Sequence, residues 1–185
     1  MASRCRPRCA LALFYACSYS AWVLANPPPS CIDQADGALC AADVARGVTR
    51  MLHRHDLTAM AEVPLDNGRR ADLMAIDPKG RIVIIEIKVS RADLFGDGKW
   101  PDYLGHCDRF YWALPAGFDL SPLDAAIFLP SRTGVIVADQ YEAEIVREAS
   151  TEALPAHVRK RCTLAFARRA ARRMLALTDP EAYAV

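Results

Sequence analysis

Arg70-Ala71-Asp72-Leu73-Met74-Ala75-Ile76-Asp77-Pro78-Lys79-Gly80-Arg81-Ile82-Val83-Ile84-Ile85-Glu86-Ile87-Lys88 reads as two strands joined by a tight turn. Arg81 to Val89 is an almost unbroken β-branched run, the pattern of a strand buried on both faces. Side chains alternate along a strand, so Val83, Ile85, Ile87 and Val89 share one face and Ile82, Ile84, Glu86 and Lys88 the other. The second face begins apolar and ends in two charges.

The turn decides what those charges meet. Pro78-Lys79-Gly80 suits a three-residue loop, with Pro opening a type I turn and Gly closing it in the left-handed conformation. Asp77 then pairs with Arg81, Ile76 with Ile82, Met74 with Ile84, Asp72 with Glu86 and Arg70 with Lys88. A two-residue loop would slip the register by one and move Asp72 off the Glu86 face.

Opposed like charges cost a sheet about 0.2–1 kcal/mol, and more when partly buried. A divalent cation between them removes that cost. Magnesium is held by one or two carboxylates plus waters and phosphate, which Asp72 and Glu86 can provide, with Lys88 on the same face within reach of a phosphate. The plain alternative is a charge cluster of Arg70, Asp72, Glu86 and Lys88 at the solvent end of a strand.

Asp72 followed by Glu86-Ile87-Lys88 resembles the Asp...Glu-x-Lys signature of the PD-(D/E)xK nuclease superfamily. With Gly68-Arg69-Arg70 before it, and Lys99-Trp100-Pro101-Asp102-Tyr103 and Cys107-Asp108-Arg109 after, the string is similar to the MmcB-like family of DNA-repair endonucleases over roughly residues 38 to 150. Ala71 stands where the superfamily's name-giving proline would be, but that proline is not a ligand. The resemblance implies an α/β fold with a restriction-endonuclease-like core, helix, three strands, helix, strand, followed here by a C-terminal basic helix. It also implies magnesium- or manganese-dependent hydrolysis of DNA, with Asp72, Glu86 and Lys88 catalytic and the Ile87 carbonyl a further metal ligand. DNA, and other repair proteins beside it, would be the partners. A non-catalytic DNA-binding module of a repair complex is the alternative on the same fold.

Glu62 is a conditional third acidic ligand. If Asp66-Asn67-Gly68 forms a three-residue loop with Gly68 left-handed, Leu65 pairs with Arg69 and Glu62 falls opposite Asp72. A two-residue turn at Asn67-Gly68 places it opposite Leu73 instead, and a surface glutamate on an edge strand fits as well.

The chain has 185 residues, room for one domain with a core and an appendage. Its 52% hydrophobic content favours a globular protein over a disordered one, while a net charge of +1 leaves nucleic-acid binding to local patches. Of seven cysteines, Cys5, Cys9 and Cys17 lie in a leader-like segment, and Cys31, Cys40, Cys107 and Cys162, dispersed without Cys-x-x-Cys spacing, read as buried free thiols; His53, His55, His106 and Cys107 lack finger-like zinc spacing. Residues 1–30 are leader-like: Arg4, Arg6 and Arg8, an apolar run from Ala10 to Leu24, small residues ending at Ala25, then Asn26-Pro27-Pro28-Pro29. Ser18, Tyr19 and Ser20 interrupt the run, so stable membrane insertion is not expected. A signal would send the protein out of the cytoplasm, the location that DNA repair implies. Either the segment is a mis-started extension from an upstream codon, or it is a working signal on a secreted protein whose Glu-x-Lys match is accidental, which cleavage after Ala25 or a Cys31 to Cys40 disulfide would support. The expected organisation is 1–30 leader-like, 31–150 nuclease-like and 151–185 a basic helix.

Around the hairpin, Ala38 to His55 has helical spacing, with Asp43 and Arg46 able to face the site, and Leu57 to Leu65 reads as an edge strand. Ser90 to Lys99 reads as a loop. A helix then starts near Pro101, with Lys99 and Tyr103 on one face as phosphate or base contacts, although Trp100 and Tyr103 also suit a core. Asp108 and Arg109 read as a structural pair, and strands are expected at Asp108 to Leu114, Ala125 to Leu129, Gly134 to Ala138 and Glu144 to Arg147. Pro155 to Leu177 reads as a long helix, apolar along Val158, Cys162, Ala165 and Phe166, with Arg70, Lys99, Arg168 and Arg172 as nucleic-acid contacts of the whole.

Overall fold

In the computed structural model, residues 39–183 are described; the leader-like reading of residues 1–30 lies outside them. Helix α1 (Ala41–Arg54) comes first, then strands β1 (Thr58–Pro64), β2 (Arg70–Ile76) and β3 (Ile82–Ile87). A short helix α2 (Arg91–Gly96) and a 3-10 helix (Trp100–His106) lead to β4 (Arg109–Pro115). Two 3-10 turns precede β5 (Thr133–Ala138) and β6 (Ala143–Arg147), and helices α3 (Ala156–Thr178) and α4 (Pro180–Tyr183) follow.

The strands form one mixed sheet in the order β1-β2-β3-β4-β5-β6. The pairs β1–β2, β2–β3 and β5–β6 are antiparallel, whereas β3–β4 and β4–β5 are parallel. A parallel neighbour requires a crossover, and α2 with the 3-10 helix provides it between β3 and β4. Pro64 sits on the edge strand, where its missing amide costs no ladder bond.

Every residue of β3 is buried, because the sheet is covered on both faces. Val83, Ile85 and Ile87 join Leu73, Ala75, Tyr111 and Ile136 under α1, which contributes Val44, Val48, Met51 and Leu52. Ile82 and Ile84 join Met74, Phe110 and Trp112 on the opposite face, under Trp100, Tyr103, Leu154, Val158 and Cys162. Glu86 and Lys88 share this second face. Asp43 and Arg46 belong to α1 on the first, paired with each other at 3.4 Å, so they do not face the site.

Three further expectations change. Ser90 to Lys99 is not a plain loop, since Ser90 Oγ accepts the Asp93 amide at 3.1 Å and caps α2. Ala125 to Leu129 is not a strand but a 3-10 turn, which drops Phe128 against Trp112 and ends with Leu129 in the left-handed region. Both sides of β4 are already paired to β3 and β5, which leaves that apolar run no ladder beside β4 to join. Asp108 pairs not with Arg109 but with Arg159 of α3, at 2.7 Å through two guanidinium nitrogens. Cys107 and Cys162 are buried free thiols, whereas Cys40 is disulfide-bonded.

Candidate functional site

Both hairpin loops take the three-residue form. Gly80 and Gly68 have φ of 75° and 79°, and the amide of Gly80 reaches the Asp77 carbonyl at 2.9 Å. The Asp77 amide bonds the Arg81 carbonyl and the Leu65 amide the Arg69 carbonyl, which sets both registers. In the second hairpin Ile76 faces Ile82, Met74 faces Ile84 and Leu73 faces Ile85.

The ladder between β2 and β3 stops there, and side chains take over. Glu86 Oε1 accepts the Asp72 amide at 3.3 Å, and Asp72 Oδ2 accepts the Ile87 amide at 2.9 Å. The two acids therefore cross-brace the strands where they part. Glu86 is 3% exposed, so its ionisation is costly. Burial first, and then the negative charge of Asp72, push its carboxyl up to about 8. Burial also raises Asp72, against the pull of the Ile87 amide and Lys88.

Lys88 follows the end of β3 with its ammonium buried among acids. Its Nζ is 2.8 Å from Asp97, 3.8 Å from Asp93 and 3.9 Å from Glu86. Burial alone would lower its pKa; the Asp97 hydrogen bond and the surrounding carboxylates outweigh that and raise it, so the ammonium stays charged. Asp93 comes from α2 and Asp97 from the position just past its C-terminal end, and neither was among the expected site residues. Their signal in the sequence is Ser90-x-x-Asp93, a capping pattern that starts a helix and places Asp93 and Asp97 four residues apart on one side.

Tyr103 completes the group. Its hydroxyl donates to the Arg70 carbonyl at 3.1 Å, and burial followed by the charges of Glu86, Asp72 and Asp97 raises its pKa. Lys99 does not share its face. The segment is a 3-10 helix of three residues per turn, so Trp100 and Tyr103 align and go into the core while Lys99 stays exposed at its start.

Glu62 is turned elsewhere. Its count along β1 still places it opposite Asp72, but the pairing passes from Ala61–Leu73 to Val63–Ala71 without it, and its φ is 53°. Its half-exposed carboxylate lies 3.4 Å from Arg169 and 3.8 Å from both Arg70 and Arg173. Arg168 and Arg172 line a groove of about 440 Å³ with Pro64, Leu65 and Asp66. The structure thus brings Asp72, Glu86, Ile87, Lys88 and Tyr103 together, with the Arg70 backbone beside them. Glu62, Lys99, Arg168 and Arg172 lie outside that cluster. Among the described residues, no group of three or more His, Cys, Asp or Glu is arranged to hold a metal ion, and no helix is long and apolar enough to cross a membrane.

The family model for DNA repair protein MmcB-like matches residues 26–181. No curated protein matches the chain. A solved structure of a protein of unknown function from Silicibacter pomeroyi is similar at 42% identity and a TM-score of 0.67, over 81% of this chain and 96% of that one. The match over most of the length places the chain in the MmcB-like family of DNA repair proteins.

Proposed function

We propose that the protein is a metal-dependent endonuclease of DNA repair, built on the plan of the PD-(D/E)xK superfamily. The observation that carries this reading is the half-buried Asp72 cross-braced to the buried Glu86 beside a charged Lys88. Two carboxylates forced together, one with its pKa raised to about 8, gain from a shared cation at neutral pH. Their hard oxygen donors suit magnesium or manganese, and two acids with the Ile87 carbonyl are enough for an ion that keeps its waters. Such an ion, when bound, polarises a phosphodiester and makes a water more acidic.

The chain's own residues account for the rest. Asp72 and Glu86 are fixed by the backbone amides they accept, so they are preorganised rather than recruited. Lys88 holds a positive charge on the same face for the developing charge on phosphate, and the Asp97 contact keeps its amine in place. Arg70, Lys99, Arg168 and Arg172 offer contacts to the DNA backbone, which carry affinity without reading sequence.

One observation favours the alternative of a non-catalytic DNA-binding module. Each acid already has an amide partner, and Lys88 is neutralised by Asp97, so the cluster is satisfied without ligands. Labelled nicked, flapped, mismatched and single-stranded DNAs, incubated with magnesium or manganese, separate the two. Metal-dependent cutting that disappears in Glu86→Ala and in Lys88→Ala is the expected result. Binding without cutting, unaffected by Glu86→Ala, would leave the module reading in its place.

A further inference from the structure

We propose that Arg70, Arg169 and Arg173 form a binding site for a DNA backbone phosphate at the edge of the sheet, with Glu62 occupying it as an internal anion until DNA arrives. The inference rests on the DNA-acting reading above and deepens it.

Three observations converge on this spot. First, three guanidinium groups share one carboxylate, at 3.4 Å for Arg169 and 3.8 Å for Arg70 and Arg173. All three separations exceed the 2.7–2.9 Å or so of a close charge-assisted hydrogen bond, and the cluster keeps a net positive charge. Second, the Arg169 Nε is buried and has no acceptor. A buried donor without a partner is costly, so an anion larger than a carboxylate has a bond to gain here. Third, Glu62 reaches the arginines from a left-handed backbone, φ 53°, that a non-glycine residue seldom adopts in a strand.

The location links the cluster to the acids. Arg70 lies two residues before Asp72 on β2, and two residues along a strand return to the same face about 6.5 Å away. The Arg70 carbonyl also accepts the Tyr103 hydroxyl that stands beside Glu86. A strand lying over Asp72 and Glu86 would bring a flanking phosphate to these arginines. Guanidinium forks match phosphate oxygens two at a time, so the phosphate would displace Glu62 rather than add to it.

The test is anisotropy binding of a labelled single-stranded DNA across a salt series, with the full chain and its Glu62→Gln, Arg169→Gln and Arg173→Gln variants, each checked by thermal melting. Glu62→Gln should bind several-fold more tightly, because the competing anion is gone. Arg169→Gln and Arg173→Gln should each bind several-fold more weakly and lower the salt slope by about one. If the Glu62 variant fails to fold, the two arginine slopes decide alone. A protein whose DNA binding ignores all three substitutions overturns the proposal while leaving the nuclease reading to the cleavage assay. Binding through these arginines without any cutting upholds the site and removes the nuclease. If the wild type binds no DNA, both fall. Inorganic phosphate that competes as well as an unlabelled DNA strand of equal phosphate content would mark a site for the free ion, which also overturns it.

Discussion

The ammonium of Lys88 and the carboxylate of Asp97 lie 2.8 Å apart, joining the end of β3 to the end of α2. The cation of the candidate site is thereby held by a residue outside the Asp...Glu-x-Lys string. On the proposed function, Asp97→Asn should slow metal-dependent cleavage by about 10- to 100-fold, as misplaced catalytic groups do. The Asp97 contact also raises the Lys88 pKa, so its loss should move the alkaline limb of the pH–rate profile downward. A slower enzyme with an unmoved alkaline limb would show that Asp97 acts only on the fold.

Glu86 makes the stability of the metal-free protein depend on pH. Its carboxyl goes from an ordinary 4.5 in the unfolded chain to about 8 in the native one. Between those values the native state holds a proton that the unfolded state has lost, so stability falls as pH rises through this window. Urea titrations at pH 5 and pH 8.5 should show the loss in the wild type and much less of it in Glu86→Gln. On the proposed function, magnesium added at pH 8.5 should restore stability to the wild type alone.

Asp108 works in the opposite sense. Burial raises its carboxyl, but the Arg159 guanidinium and the amides of Leu154 and Ile82 outweigh burial and hold it below the ordinary range. Its contribution is therefore complete above the unfolded carboxylate pKa of 3.8 and is lost as pH falls below it. Asp108→Asn should cost about 1.5–3 kcal/mol at neutral pH by removing the charge-assisted bonds to Arg159, which keeps only the Gly80 carbonyl, and should shorten the acid-denaturation range. Chemical denaturation of the variant at pH 7 and pH 3 checks both statements.

Gly47 on α1 packs against the turn between β5 and β6. A Cβ there would collide with the carbonyl oxygens of Asp139 and Glu142, which are backbone and cannot swing aside. Gly47→Ala should destabilise by at least the 1–3 kcal/mol or so of an overpacked core, although alanine is the better helix former. A melting temperature equal to the wild type would mean that the helix moves freely on the sheet.

The hairpin was legible because its determinants are local. Pro78 and Gly80 specify the loop, the loop specifies the register, and alternation places Asp72 and Glu86 on one face with Lys88. α1, β1 and α3 followed in the same way from apolar spacing. The run from Ala125 to Leu129 was misread because five apolar residues in a row carry no period. The expected common face of Lys99 and Tyr103 fails because α-helical spacing does not hold in a 3-10 segment.

What the sequence by itself determined, then, is the presence of two close carboxylates and a lysine at the end of a doubly buried strand, since chain neighbours and turn chemistry suffice for that. Only the tertiary structure decided which groups surround them. Asp97 reaches Lys88 because α2 folds back over the end of β3, Glu62 turns to the arginines because α3 lies along the edge strand, and Asp108 finds Arg159 51 residues away. Those partners are set by the packing of elements on a common sheet, and the free energy of that packing belongs to no single stretch of chain.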